Sequence, residues 1–221
     1  MIMGRFTWRA YLEAEEVIRD KARDMIEHYI THVFPNGLKA QVVAVSRCAA
    51  IRYKKALEEA LKEKISELEK ENNLKIDLEK LKKLEVGVVI SGAQNDRPEY
   101  HPYTDPNVHE RIIKSFKLPF DKVDENGING NVGILVVQNM LITGFDAPVE
   151  QVMYLDNVIK GHNLLQAIAR VNRVYKNKSC GFVVDYVGVL KHLKEALAIY
   201  ADEDIDEISQ VVRNKQKALM N

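Results

Sequence analysis

Val132-Gly-Ile-Leu-Val-Val137 is the run of sequence with the strongest strand character, apolar at every position and rich in β-branched residues. A strand that is apolar on both sides of its pleat is covered on both faces, as in a parallel sheet between two helical layers. Reading outward, Val152-Met-Tyr-Leu155 and Gly181-Phe-Val-Val184 repeat the pattern towards the C-terminus. Val86-Gly-Val-Val-Ile90 and Gln41-Val-Val-Ala-Val45 repeat it towards the N-terminus. Between these runs lie segments of helical period. Asn107 to Lys117 sets Val108, Ile112, Ile113 and Phe116 on one side, and Asn163 to Val171 separates the last two strands. Strands alternating with helices predict an α/β fold with a parallel sheet flanked by helices.

The remaining segments frame that sheet. Trp8 to His32 reads as one helix with Val17, Met25, Ile26 and Tyr29 as its apolar stripe, ended by Pro35-Asn36-Gly37. A long charged helix is expected from near Cys48 to Lys70. Its Leu57, Leu61, Ile65 and Leu68 fit a projecting helix or hairpin with one packed face, or a short coiled-coil site for a partner. Asn72-Asn73 marks a turn and Asp77 to Leu84 a returning helix. Ser91 to Pro106 reads as a surface loop, and Val187 to Met220 as two helices around the acidic Asp202 to Glu207. The expected organisation is an N-terminal helix over 1–35, an α/β domain over 36–188 with a charged helical insertion at 52–84, and a C-terminal helical segment over 189–221.

Composition narrows the class. The 221 residues balance 32 basic against 32 acidic side chains, with 46% hydrophobic and 29% charged. This is a globular composition of single-domain size with no overall field for nucleic acid. Two separated cysteines, Cys48 and Cys180, give neither a zinc pattern nor a disulfide framework, so no metal site is expected. The start carries no apolar leader and no run is long enough for a bilayer, which predicts a reduced, cytoplasmic protein without membrane contact.

In open α/β sheets ligands gather at the carboxyl ends of the strands, so the residues after each strand are the candidates. After Val137 comes Gln138-Asn-Met-Leu-Ile-Thr-Gly-Phe-Asp-Ala-Pro148, in which Gly144 permits close backbone approach and Asp146 supplies an acceptor. Read alone, this loop is equally a turn capped by Asp146. After Leu155, Gln166, Arg170 and Arg173 follow at spacings of four and three. They share one face if the helix persists that far, and forked guanidiniums suit a phosphate chain. No acidic residue falls between Asn157 and Val184, while Lys160, Arg170, Arg173, Lys176 and Lys178 do. Such segregation predicts a local positive patch and an anionic ligand. No GxxxxGK(S/T) loop occurs anywhere. Asp185 therefore reads as a capping or pairing residue, and His28, His32, His101, His109 and His192 as surface or packing residues.

Gln166-Ala-Ile-Ala-Arg-Val-Asn-Arg173 resembles motif VI of superfamily-two helicases, Gln138 to Asp146 motif V, and Val42 to Arg47 the strand of motif IV. Their order is similar to that of a second RecA-like domain. The wording Leu-Ile-Thr-Gly-Phe-Asp-Ala-Pro148, with Phe-Val-Val-Asp-Tyr-Val-Gly188, most resembles the restriction subunit of type I restriction-modification enzymes over about Lys39 to Gly188. The resemblance implies an ATP-driven double-stranded DNA translocase whose ATP and Mg2+ are held mainly by a first RecA-like domain carrying the P-loop. It implies that Arg170 and Arg173 contact the γ-phosphate, that Gln166 senses it, and that Gly144 and Asp146 approach the nucleotide. Gln138, Asn139 and Thr143 would lie towards DNA, with Ser46 and Arg47 on its backbone. Asn139 departs from the aspartate usual at that place in motif V. Implied partners are the first motor domain and the methyltransferase and specificity subunits. The chain would then be a piece of a longer nuclease subunit and inactive alone. Three alternatives remain: the equivalent domain of another superfamily-two helicase, a non-enzymatic interaction module built on the Lys54 to Lys83 helices, and a self-contained nucleotide-binding protein.

Overall fold

The computed structural model describes residues 8–71, 76–142, 144–159, 161–176 and 178–189, with backbone alone at 161 and 162. Its strands are β1 (Lys39–Ala44), β2 (Glu85–Ile90), β3 (Val132–Gln138), β4 (Glu150–Asp156) and β5 (Phe182–Asp185). They form one sheet in the order β2-β3-β1-β4-β5, and every pairing is parallel. In the centre, Val42 of β1 sits between Val136 of β3 and Tyr154 of β4.

The all-apolar strands follow from cover on both faces. On β3, Ile134 and Val136 join a core with Met25, Tyr29 and Ile30 of α2 (Glu15–His32) and Tyr53 and Leu57 of α3 (Arg47–Lys70). Leu135 and Val137 point the other way. They join Phe116 of α5 (Pro106–Lys117) and Leu164, Ala167, Ile168 and Val171 of α6 (Gly161–Val171). The expected parallel α/β architecture is therefore present.

Several local expectations are corrected. The first helix is two, α1 (Trp8–Leu12) and α2, because Ala14 is extended at φ −63° and ψ 132°. The charged helix α3 does not project. It lies along α2 and the sheet, with Ala49, Ala50, Ala56 and Ala60 letting the backbones approach and Leu57, Leu61 and Leu68 buried between them. Most of its charges occupy the outward face, the ordinary pattern of a helix packed on one side, while Lys54 reaches in to the Val86 carbonyl of β2. A short α4 (Leu78–Lys82) returns the chain to β2. The helices expected over Val187–Met220 lie outside the described residues beyond Val189.

The connection from β3 to β4 positions most of the candidate residues. Parallel strands usually need a helical crossover, but the described residues of 139–149 pass over β1 from β3 to β4 without one. Ile142, Phe145 and Ala147 of this segment are buried in the α5/α6 core, so it covers the sheet where a helix would otherwise lie. Its path requires left-handed backbone at Asn139 (φ 58°), Leu141 (φ 60°) and Gly144 (φ 77°). Glycine adopts this region freely, whereas Leu141 does so with strain that the surrounding contacts must sustain.

Candidate functional site

Two groups of candidate residues emerge rather than one. The first lies at the carboxyl edge of the sheet, where β1, β3 and β4 end. Ser46, Arg47, Gln138 and Asn139 all fall here. Two neighbouring clefts open on this edge, of about 360 Å³ and 420 Å³, and Gln138 lines both. Ser46 is 4% exposed and its hydroxyl accepts from the Ala49 N–H at 3.1 Å, so it caps α3. Arg47 is held by Asp96 and stacks at 4.7 Å on the Tyr100 ring. That contact holds the Asp96 carboxyl below the usual carboxylate range, with help from the Ala93 N–H. Thr143 lies outside the described residues.

The second group lies on the α5/α6 side. α6 leaves the carboxyl end of β4 and runs back to the amino end of β5. The N–H of Gly181, just before β5, donates to Asn172 Oδ1 at 3.1 Å, which fixes the C-terminal end of α6 there. Arg170 and Arg173 are therefore carried away from the carboxyl edge. The expectation that all ligand residues gather at that edge fails for these two, because a crossover helix delivers its last turn to the opposite end of the sheet. The helix also stops at Val171. Arg173 continues it only through a tightened turn, its N–H donating to the Arg170 carbonyl at 3.3 Å.

The arginines meet the β3–β4 crossover there. Arg170 Nη1 donates to the Phe145 carbonyl at 2.8 Å, and Arg173 Nη1 pairs with Asp146 Oδ1 at 2.6 Å. Both partners of that ion pair are about half exposed, 49% and 51%. Arg170, Arg173 and Asp146 thus come together on the crossover, with Gly144 two residues before Asp146 in the chain. Gln166 sits half-buried one turn before Arg170 and is engaged within the chain. The half-exposed pair contributes at most about 1 kcal/mol, so an anion can exchange for Asp146 at small expense.

Sequence reasoning missed a set of buried ionisable groups. Asp156, at the end of β4, accepts from Lys21 Nζ at 2.5 Å and from Tyr53 OH at 2.7 Å. Lys39 is fully buried, its Nζ donating to the carbonyls of Ser115 at 2.9 Å and Gly130 at 2.8 Å, over the Phe120 ring. Burial lowers its pKa to about 7. Beside it in register, Glu150 is 4% exposed and burial raises its carboxyl to about 8. Lys178 donates to the Pro148 and Glu150 carbonyls and is lowered by burial to about 8. No pattern of types or spacing announces these groups, since each reads as a surface residue beside a strand. Asp185 does cap a turn, accepting from the Val187 and Gly188 N–H groups at 2.9 Å. No cluster of three or more metal-ligating side chains occurs among the described residues, nor is any described helix long and apolar enough to cross a membrane.

Comparison with known proteins gives this geometry a family. The family model of type I restriction enzyme subunit R domain 3 matches residues 36–188. A Methanocaldococcus jannaschii protein named as the MjaVIIP type I restriction enzyme endonuclease subunit is 42% identical over 173 residues, covering 76% of this chain and 15% of its own length. The type I restriction enzyme HindI endonuclease subunit of Haemophilus influenzae is 40% identical over 121 residues, covering 53% of this chain and 11% of the relative. The chain therefore spans only a small part of the relatives that it matches. A solved fragment of a type I restriction enzyme HsdR subunit from Vibrio vulnificus YJ016 superposes with a TM-score of 0.53 at 16% identity. It covers 90% of this chain and 32% of that one, a likeness of fold alone. The parallel sheet between helical layers is of the RecA-like kind, and with the match over 36–188 this chain belongs to the type I restriction enzyme R-subunit family.

Proposed function

We propose that this chain is the second RecA-like half of an ATP-driven double-stranded DNA translocase within a type I restriction enzyme R subunit. The observation that carries this reading is the convergence of part-buried Arg170 and half-exposed Arg173 on Phe145 and Asp146 of the glycine-bearing crossover. The acid-free stretch from Asn157 to Val184 supports it. In this reading a triphosphate is presented by the first motor domain of the same subunit, which also holds Mg2+. Arg170 and Arg173 face the γ-phosphate, where fixed cations stabilise charge developing during phosphoryl transfer. Arg173 leaves Asp146 as the nucleotide arrives, and Gly144 and Asp146 line the nucleotide's flank with Gln166 behind them. Gln138, Asn139, Thr143, Ser46 and Arg47 form the DNA side, with Ser46 acting chiefly by fixing the start of α3. Backbone contacts of this kind carry no sequence information, as a translocase needs. The recognition sequence is then read elsewhere, by the specificity subunit working with the methyltransferase. We further assign 36–188 as the motor domain and the described residues 8–35 as a helical lead-in packed on it; the segment 190–221 lies outside the described residues.

The test is Arg170→Ala in the intact subunit. DNA-stimulated ATP hydrolysis should fall by at least about tenfold, a floor set well below the ~10³–10⁵ that arginine fingers contribute, with DNA affinity in the absence of ATP little changed. Near-normal turnover would end the assignment. A second reading has its own observation, namely that both guanidiniums are already engaged within the chain. Here they are a clasp that holds the crossover on the sheet. That reading predicts a lower melting midpoint for Arg170→Ala in this chain alone, in proportion to any loss of turnover.

A further inference from the structure

The carboxyl-edge cleft contains more cationic groups than the motif resemblance brings to it. Arg9 of α1 and Arg97 of the 91–105 segment line it together with Arg47, Ser46, Tyr100 and Gln138. These arginines come from three places far apart in sequence and meet only in the fold. Each is held by its own carboxylate. Arg9 pairs with Glu13 at 2.9 Å, Arg97 with Glu99 at 3.7 Å, and Arg47 with Asp96. The three differ in exposure. The side chains of Arg9 and Arg97 are 69% and 80% exposed, whereas Arg47 is 22% exposed and Asp96 only 11%. Two pairs are therefore weak surface contacts, and the third is partly desolvated and clamped.

The clamp has a definite construction. Asp96 uses Oδ2 to accept from the Ala93 N–H at 2.8 Å and Oδ1 to accept from Arg47. Tyr100, from the same segment, covers the flat face of the guanidinium. Arg47 Nε is buried and finds no hydrogen-bond partner among the described residues. Arg47 thus has an unused donor beside an edge occupied by a carboxylate, the side-chain group that most closely mimics a phosphate oxygen pair.

We propose that this cleft is a track for a nucleic-acid phosphodiester backbone in which Arg9 and Arg97 are further phosphate contacts, and in which Asp96 is a resident substitute for phosphate that must leave Arg47 when the backbone binds. The proposal rests on the DNA-side reading of Arg47 given above and adds two contacts and a gate to it. A polyanion competes for the exposed guanidiniums of Arg9 and Arg97, because release of its condensed counterions drives the exchange; Glu99 is exposed, while Glu13 is partly buried and stays anchored by Ser46 when Arg9 turns to the phosphate. Displacing Asp96 is the resisted step, so the 91–105 segment sets the affinity.

The experiment measures binding of this chain to a short fluorescent DNA duplex of arbitrary sequence over a range of salt. Arg9→Gln and Arg97→Gln should each weaken binding and lower the slope of log affinity against log salt by roughly 1. Asp96→Asn should tighten binding by at least about two- to fivefold, because an exposed ion pair sets that range and this one is less exposed. Glu125→Gln, a carboxylate change on the exposed 121–131 turn before β3, is the charge control and should leave affinity unchanged. Arg47→Gln separates the two levels of the argument. If it has no effect, the DNA-side reading of this edge fails. If it weakens binding while Asp96→Asn matches the control and the two flanking variants keep the full salt slope, only the track and its gate are overturned. Melting curves of each variant establish that it is folded, and Arg97→Gln, at an exposed loop position, supplies the slope test even if Asp96→Asn loosens the loop.

Discussion

Glu150 enters β4 with its carboxyl group sealed from water, and its Oε1 meets no hydrogen-bond donor among the described residues. Burial holds it protonated to about pH 8, whereas the unfolded chain releases that proton near 4.5. Between those values the folded state binds the extra proton, so stability falls as pH rises. Lys39 and Lys178 act with the opposite slope. Folded, they lose their protons near 7 and 8, and unfolded near 10.5, so the unfolded state binds more protons and stability rises across that window. The difference in denaturant midpoint between wild type and Glu150→Gln should therefore grow from pH 5 to 8. The difference between wild type and Lys39→Met should shrink from pH 7 to 10. Flat difference curves would mean that these groups are hydrated in solution. Tyr53 makes a separate test. Its hydroxyl is the donor to Asp156 Oδ2 at 2.7 Å, and burial already raises the Asp156 pKa. Tyr53→Phe leaves a buried carboxylate oxygen short of a donor and should destabilise the chain by about 1–3 kcal/mol. Chemical denaturation reads this directly, and an unchanged midpoint would show that water replaces the hydroxyl.

At the scale of elements, strands were legible because their signal is chemical. Val132 to Val137 and Val86 to Ile90 are apolar on both sides, and their shortness and β-branched content favour strand over buried helix. The boundaries moved by a residue or two, since Lys39 and Glu150 belong to strands although their charges argue against it. The β3–β4 crossover was legible as a loop but not as a layer. Periodicity cannot show that Ile142 and Phe145 substitute for a missing helix. Gln166, Arg170 and Arg173 were read as one helix face, but α6 stops at Val171, and spacing along a helix says nothing about which end of the sheet it reaches. That end is fixed by Gly181. A Cβ there would lie 2.2 Å from the Val171 carbonyl oxygen, so only glycine lets the last turn of α6 close on the start of β5. Gly181→Ala should destabilise by about 1–3 kcal/mol through overpacking, a fall in melting midpoint of about 2–4 °C per kcal/mol for a chain of this size. A melting midpoint equal to wild type would show that this junction gives way without strain.

Taken whole, the molecule holds its two candidate groups at different ends of one sheet, with the 139–149 crossover running between them. Gln138 and Asn139 begin it at the carboxyl-edge clefts, and Phe145 and Asp146 meet the arginines further along. In the proposed reading the arginines stabilise charge on a phosphate chain, and the 221 residues contain no GxxxxGK(S/T) loop to cradle it. Backbone N–H groups arranged by such a loop, with its lysine and hydroxyl, are what hold the phosphates and their magnesium in P-loop NTPases. A guanidinium acts on the transferring phosphoryl group only when another surface fixes that group in place. The pure chain should therefore show no ATP hydrolysis above a buffer blank, with or without DNA and Mg2+. It should still bind duplex DNA weakly, with an affinity that falls steeply with salt. Turnover that co-purifies with the chain and is abolished by Arg170→Ala would overturn the division of labour, since the arginines would then be serving a nucleotide site contained wholly within this domain.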